Sequence, residues 1–230
     1  MILDRLTGAV RTQNWFAVAL EFLIVSAGVF LGIQFGNWNS LRAEAAREQV
    51  FIERLEADFL LAREDLEKNL ARSEGFAADM DALFALLVDR DTALSAEMVA
   101  PYINALGSAS APSRPSPTFV EMQSSGALST LDSEALRKAL VEYQLVVGVS
   151  QEGLKFALAG FHPDRIIFKV TRIPEGEGFG ASDILHPELL REAIGEVSYM
   201  KAAHTLQAAY AQRSLEVVDE VLAELENSKR

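Results

Sequence analysis

The chain offers few residues whose type and spacing could do chemistry. Histidine stands at His162, His186 and His204, and the three show no metal-ligand spacing. His204 follows Met200 on an apolar stripe and reads as a core histidine. Cysteine is absent, which removes disulfides, thiol nucleophiles and thiolate metal sites. Ser124-Ser125-Gly126 lacks the glycine-flanked elbow and the nearby histidine that a serine nucleophile needs. Its hydroxyls suit local backbone bonds at a helix end. GEGFG at 176–180 only loosely resembles a phosphate cradle: no strand precedes it, and Glu177 within it and Glu175 just before it would repel phosphate. The acids Glu53, Glu56 and Asp58 read as a solvated helix face. Glu121 and Arg137 read as a salt bridge between helices. The expectation is a non-enzyme, with no catalytic residue, no metal and no cofactor.

One acid stands apart. Glu21 opens the stretch LEFLIVSAGVFLGIQFGNWN, residues 20–39, which also holds Gly28, Gly32 and Gly36. At about 100° per residue, Glu21 and the three glycines fall within about 80° of one another on a helix. Ser26 and Gln34 fall on the other side. Glycines four apart let a second helix backbone approach closely. A carboxylate facing lipid is costly, so membrane acids normally face protein or water. Glu21 could be a protonated hydrogen-bond donor between helices, a partner for a polar group, part of an ion path, or a side chain snorkelling to the surface. The oligomerisation face is therefore Glu21, Gly28, Gly32 and Gly36.

The element that must carry this face is a membrane helix. Trp15 and Trp38 stand 23 residues apart, about 34 Å of helix, against a bilayer core of about 30 Å. Both fall where interfacial aromatics belong. A cleaved signal peptide would have a shorter apolar region and a small-residue site after it; here bulky Phe35 and Trp38 end the run. Residues 15–38 read as an uncleaved anchor. Residues 1–14 read as a short amphipathic interfacial segment, with Ile2, Leu3, Leu6 and Val10 at helical spacing.

The net charge is −12. Residues 1–40 balance Asp4 and Glu21 against Arg5 and Arg11, so the whole excess lies beyond them. Nucleic acid is not an expected partner, because no basic face is visible. Arg5 and Arg11 on one side, against Arg42, Arg47 and Arg54 on the other, leave the positive-inside count near a tie. An anionic cytoplasmic leaflet would repel the acidic part, which favours the N-terminus inside and the C-terminal domain outside.

Residues 39–230 read as an acidic, all-helical domain, and the fold class is all-α. Phe51, Leu55, Phe59, Ala62, Leu66 and Leu70, then Met80, Phe84 and Leu87, form the stripe of a long bundle helix over 41–90. Ser95 caps a short helix through Leu106. GSASAPSRPSP, 107–117, reads as a loop, and a helix from Thr118 ends at Gly126 as a left-handed cap. Asp132 or Ser133 starts another helix towards Gly160. Residues 164–173 fit helix or strand, and 174–183 read as loop. The last helix runs from about Pro187 to Asn227, with Val197, Met200, His204, Ala211, Leu215, Val218, Leu222 and Leu225 inward. The long first and last helices should pack antiparallel in an elongated bundle.

Two stretches, EFLIVSAGVFLGIQFGNWN and FVEMQSSGALSTLDSEALRKALVEY (119–143), resemble a family of uncharacterised bacterial single-pass membrane proteins. The matching positions are Glu21, Gln34, Asn37, Trp38 and Asn39, then Phe119, Glu121, Ser124, Ser125, Gly126, Leu128, Leu136, Arg137 and Tyr143. Met122 stands where that family usually has leucine, and Ser40 where it often has an acid. The resemblance implies bacterial origin, a membrane anchor and a helical domain; joined to the charge argument, the expected place is the bacterial inner membrane with the C-terminal domain in the periplasm. The resemblance implies no activity.

The leading expectation is a membrane-anchored scaffold or partner-binding module that self-associates through the glycine face; its partners are the bilayer and itself or another membrane protein. The alternatives are a sensory ectodomain signalling through a partner, and a homo-oligomeric pore lined by Glu21 and the glycines. A pocket with converging polar groups would favour the sensor.

Overall fold

The computed structural model describes residues 15–159, 164–172 and 179–229. Among them every element is helical, apart from an isolated antiparallel bridge between Thr171 and Ile184. The α-helices are α1 (Trp15–Val88), α2 (Ala96–Leu106), α3 (Pro117–Ser125), α4 (Glu134–Ala159), α5 (Ile166–Val170) and α6 (Ile194–Ser228). Short 3-10 turns cover Ala127–Thr130, Ala181–Asp183 and Pro187–Ala193. The expected interfacial segment, His162 and residues 174–178 lie outside the described residues.

The chain divides into two compact units, Met1–Val50 and Phe51–Arg230, and α1 contributes to both. In the first unit every described side chain from Phe16 to Trp38 is exposed. The helix is long and apolar enough to cross a membrane. An α-helix that is apolar on all sides needs either a protein core or lipid around it, and the described residues of the first unit supply no core.

In the second unit the apolar residues retreat to one stripe. Ile52, Leu55, Phe59 and Leu66 of α1 are buried with Phe119, Met122, Leu136, Leu140 and Tyr143, and with Val217, Val218, Val221 and Leu225 of α6. A second cluster joins Met80, Leu83 and Leu87 to Val99, Ile103, Leu106, Ile167, Val170, Val197 and Met200. The stripe departs from expectation at one turn: Leu83 is buried and Phe84 is 39% exposed. Ion pairs run along α1 and α6 in opposite chain directions: Glu56 with Lys229, Arg63 with Asp219 and Asp81 with Lys201. Arg191 donates to the carbonyls of Leu87 (2.7 Å) and Thr92 (2.5 Å), placing a cation on the unpaired carbonyls at the end of α1.

Local chemistry sets the helix limits. Ser95 caps α2 by accepting from the Met98 N–H. Ser133 Oγ accepts from the Leu136 N–H at 3.1 Å and starts α4. Gly126 ends α3 with φ at 76°, in the left-handed region. Residues 166–170, open between helix and strand in sequence, form α5, which ends at the bridge residue Thr171. Residues 181–183, expected as loop, form a 3-10 turn whose Asp183 takes the Gly180 N–H and the Arg172 guanidinium. The last helix opens as a 3-10 turn from Pro187 before α6 begins.

The segment 107–116 has no helix, yet it is not a solvent loop. Ser110, Ser113 and Ser116 are buried. Ser110 Oγ accepts from Ser73 Oγ of α1 at 2.7 Å, and its N–H donates to Gln207 Oε1 of α6 at 3.2 Å. The Ser113 N–H donates to Ser150 Oγ of α4 at 3.0 Å, and Ser113 Oγ bonds Ser214 Oγ of α6 at 2.7 Å. Small hydroxyl side chains satisfy an extended backbone that would otherwise bury bare polar groups. Along α1 and α6 this polar layer falls between the two apolar clusters.

Candidate functional site

The oligomerisation face lies wholly in the first unit. Glu21, Gly28, Gly32 and Gly36 sit on α1 and are exposed. A Cβ built on any of the three glycines meets no atom within 4 Å. Among the described residues nothing makes use of their smallness. Gln34, Asn37 and Asn39 are exposed on the same helix, and Ser40 Oγ donates to the Asn37 carbonyl at 2.9 Å. Trp38 is exposed, with the Arg42 guanidinium 5.9 Å from its ring centroid, within cation–π range.

The second motif lies in the folded unit, and here the sequence pairing is corrected. Glu121 does not pair with Arg137. Both carboxylate oxygens of Glu121 receive the Arg54 guanidinium from α1, a two-pronged arrangement that suits the planar fork. That bond holds Glu121 below its usual carboxylate range and raises Arg54. Arg137 instead donates to the Leu131 carbonyl, just ahead of its own helix. The sequence shows charges, but the partner is set by which turn of α1 faces α3.

Ser124 and Ser125 behave as the local spacing suggests. Both hydroxyls donate to the Glu121 carbonyl, at 3.0 and 2.7 Å, which occupies them in closing α3. Among the described residues neither has a histidine partner.

The residue missed by sequence reasoning is Asp58. Read as part of a solvated face, it is half-buried, and one oxygen accepts from Ser116 Oγ (2.7 Å) and the Thr118 N–H (3.0 Å). Ser116 in turn caps α3 by accepting from the Phe119 N–H at 3.1 Å, with Pro117 at the first helical position. The Ser116-Pro117 pair is itself a helix-start signal. Glu56 is likewise engaged, by Lys229. Tyr143 completes the arrangement: its hydroxyl donates to the Arg114 carbonyl at 2.7 Å, and its ring meets Phe59 edge-on at 4.8 Å. Burial, with the Asp58 charge second, pushes the phenol up to about 12.

His204 is fully buried in the polar layer. Its Nε2 bonds the Ala105 carbonyl at 2.8 Å, and its ring lies 5.1 Å from Phe76. Burial lowers its pKa, against the opposing pull of the Ala105 bond, Gln207 and Asp79. His186 is exposed beside Glu188. Among the described residues no group of histidines and acids could hold a metal ion. The interior cavity lined by Ser73, Ser110, Ser113, Ser150 and Gln207 encloses about 10 Å³, so the polar layer is packed against itself.

Comparison of the chain with family models, curated proteins and solved structures gives no match.

Proposed function

We propose that this protein is a non-enzymatic, single-pass membrane protein that self-associates through the Glu21–Gly28–Gly32–Gly36 face and presents a helical bundle as a scaffold or partner-binding module. The observation that carries it is the contrast in use of apolar surface. The first unit leaves its whole apolar helix exposed, while the second buries its own stripe. Lipid can cover the apolar side chains, and a second copy can cover the glycines, whose faces meet nothing among the described residues. The resemblance of the two motifs supports a bacterial inner-membrane protein, and the acidic charge of the bundle favours a periplasmic position for it. In the bundle, α1 and α6 run antiparallel.

The test is oligomeric state. Native mass spectrometry from detergent should give a homo-oligomer for the parent and for Ile33→Leu, and a smaller species for Gly32→Leu. A strictly monomeric parent, or an unchanged oligomer in Gly32→Leu, would remove the proposal. Topology is tested separately. Cysteines placed at Ser40 and Ser228 should react with an impermeant reagent in intact spheroplasts; labelling only after lysis would reverse the orientation.

A further inference from the structure

We infer that the pocket between α1 and residues 111–114 is a binding site for a small oxyanion of the phosphate or carboxylate class. Its volume is about 220 Å³, and Lys68, Asn69, Arg72 and Arg114 line it, with Pro112 and Tyr143. That volume suits an anionic head with a few carbons rather than a drug-sized ligand.

The charges are what distinguish it. The chain carries a net charge of −12, and its other arginines mostly meet acids or carbonyls. Arg54 pairs with Glu121, Arg63 with Asp219, Arg172 with Asp183, and Arg213 with Glu142. Among the described residues Arg72 and Arg114 meet neither an acid nor a carbonyl, and both line this one pocket, whereas Arg90, which also meets neither, does not line it. Lys68 is shared with Glu64 at 2.5 Å, and Asp65 also contributes to the lining, leaving the two arginines as the main attraction. Guanidinium forks match the paired oxygens of carboxylate and phosphate.

The positions are also held in advance. Arg72 and Lys68 are four residues apart on α1 and so share a face. Arg114 sits in the serine-rich segment. Its carbonyl is fixed by Tyr143 (2.7 Å), and the flanking serines are fixed by Ser150 (3.0 Å) and Asp58 (2.7 Å). Fixing the backbone before binding lowers the ordering cost at the moment of binding. This gives the burial of Ser113 and Ser116 a second role beyond packing: it fixes the backbone that carries Arg114 at the rim of the pocket that Arg72 also lines. The site does not depend on self-association.

The experiment uses the full chain in uncharged detergent, titrated by calorimetry with phenyl phosphate and with benzoate. The expected result is saturable binding of one probe or both, weakened about tenfold or more in Arg72→Gln/Arg114→Gln. Arg90→Gln, another exposed arginine, should leave it unchanged, as should Gly32→Leu, and added salt should weaken it. Unchanged melting of the double variant by circular dichroism excludes misfolding. The source of the anion is read by repeating the titration in nanodiscs. Loss of probe binding only with phosphatidylglycerol assigns a lipid headgroup, and equal binding in neutral and anionic discs assigns a soluble anion. No saturable binding, equal binding by the double variant, or equal weakening by Arg90→Gln would overturn the inference.

Discussion

One helix, α1, leads two different lives. From Phe16 to Leu41 it is apolar on every face and all its described large side chains are exposed; from Ile52 onward it is apolar on one stripe and that stripe is buried. Both stretches belong to one continuous α-helix, so secondary structure does not separate them. What separates them is the angular spread of apolar residues. A stripe can be satisfied by neighbouring helices of the same chain, whereas an all-round apolar surface cannot. The second stretch therefore derives its stability from tertiary packing. The first leaves its apolar side chains uncovered by any of the described residues.

The largest expected effect contrasts two phenylalanines on this helix. Phe59 is fully buried and Phe22 is 74% exposed. Phe59→Ala should destabilise the unit Phe51–Arg230 by about 3–5 kcal/mol, the usual cost of such a core truncation. Phe22→Ala should leave its urea midpoint unchanged. Equal effects would break the comparison.

Gly126→Ala comes next. With φ at 76°, an added Cβ meets backbone strain of about 1–2 kcal/mol, while the open surroundings add no clash. By contrast Gly28→Ala, in regular helix with open space, should not lower the stability of the folded unit. Denaturant melts of both variants check the pair.

Tyr143→Phe should cost about 1 kcal/mol, because it leaves the Arg114 carbonyl without its donor. It also carries a pH signature. Unfolded tyrosine titrates near about 10, and burial raises Tyr143 to about 12. Between these values the native state binds more protons, so stability falls as pH rises through that window. The variant should lose this component of the alkaline melting curve.

The smallest effect belongs to His204. Its folded pKa is lowered by burial, so the unfolded chain protonates first. Stability is fully present above about pH 6.5 and declines as pH falls below it. Asp79 has the opposite sign in a more acidic range, because burial raises its pKa and stability there falls as pH rises. His204→Met should flatten the melting profile around pH 6 without altering the alkaline limb. A parent whose stability is flat from pH 7 to pH 5 would contradict the assignment.

Much of the helical framework was legible in the sequence, because caps and periodicity are local. Ser95, Ser133 and Gly126 mark their helix ends through bonds to residues at most a few positions away. What was not legible depends on distant partners. The serines and prolines of 107–117 carry the composition of a loop, and polar residues scattered over three helices, Asp58, Ser73, Tyr143, Ser150, Gln207 and Ser214, turn them inward. Asp58 looks like any surface acid until Ser116 and Thr118 arrive from nearly sixty residues away. Glu121 and Arg137 differ for the same reason: sequence gives their charges, and packing supplies Arg54 to one and the Leu131 carbonyl to the other. Leu83 displaced Phe84 from the stripe because adjacent residues on a helix lie about 100° apart, too close for composition to decide which faces inward.

The central claim is that Gly28, Gly32 and Gly36 form the contact between copies in the membrane. The chain has no cysteine, so single cysteines can be introduced one at a time from Ser26 to Gly36 and oxidised in native membranes. The account predicts disulfide dimers that peak at 28, 32 and 36 and fall at 26, 30 and 34. A flat profile, or a peak on the face of Ser26 and Gln34, would contradict it.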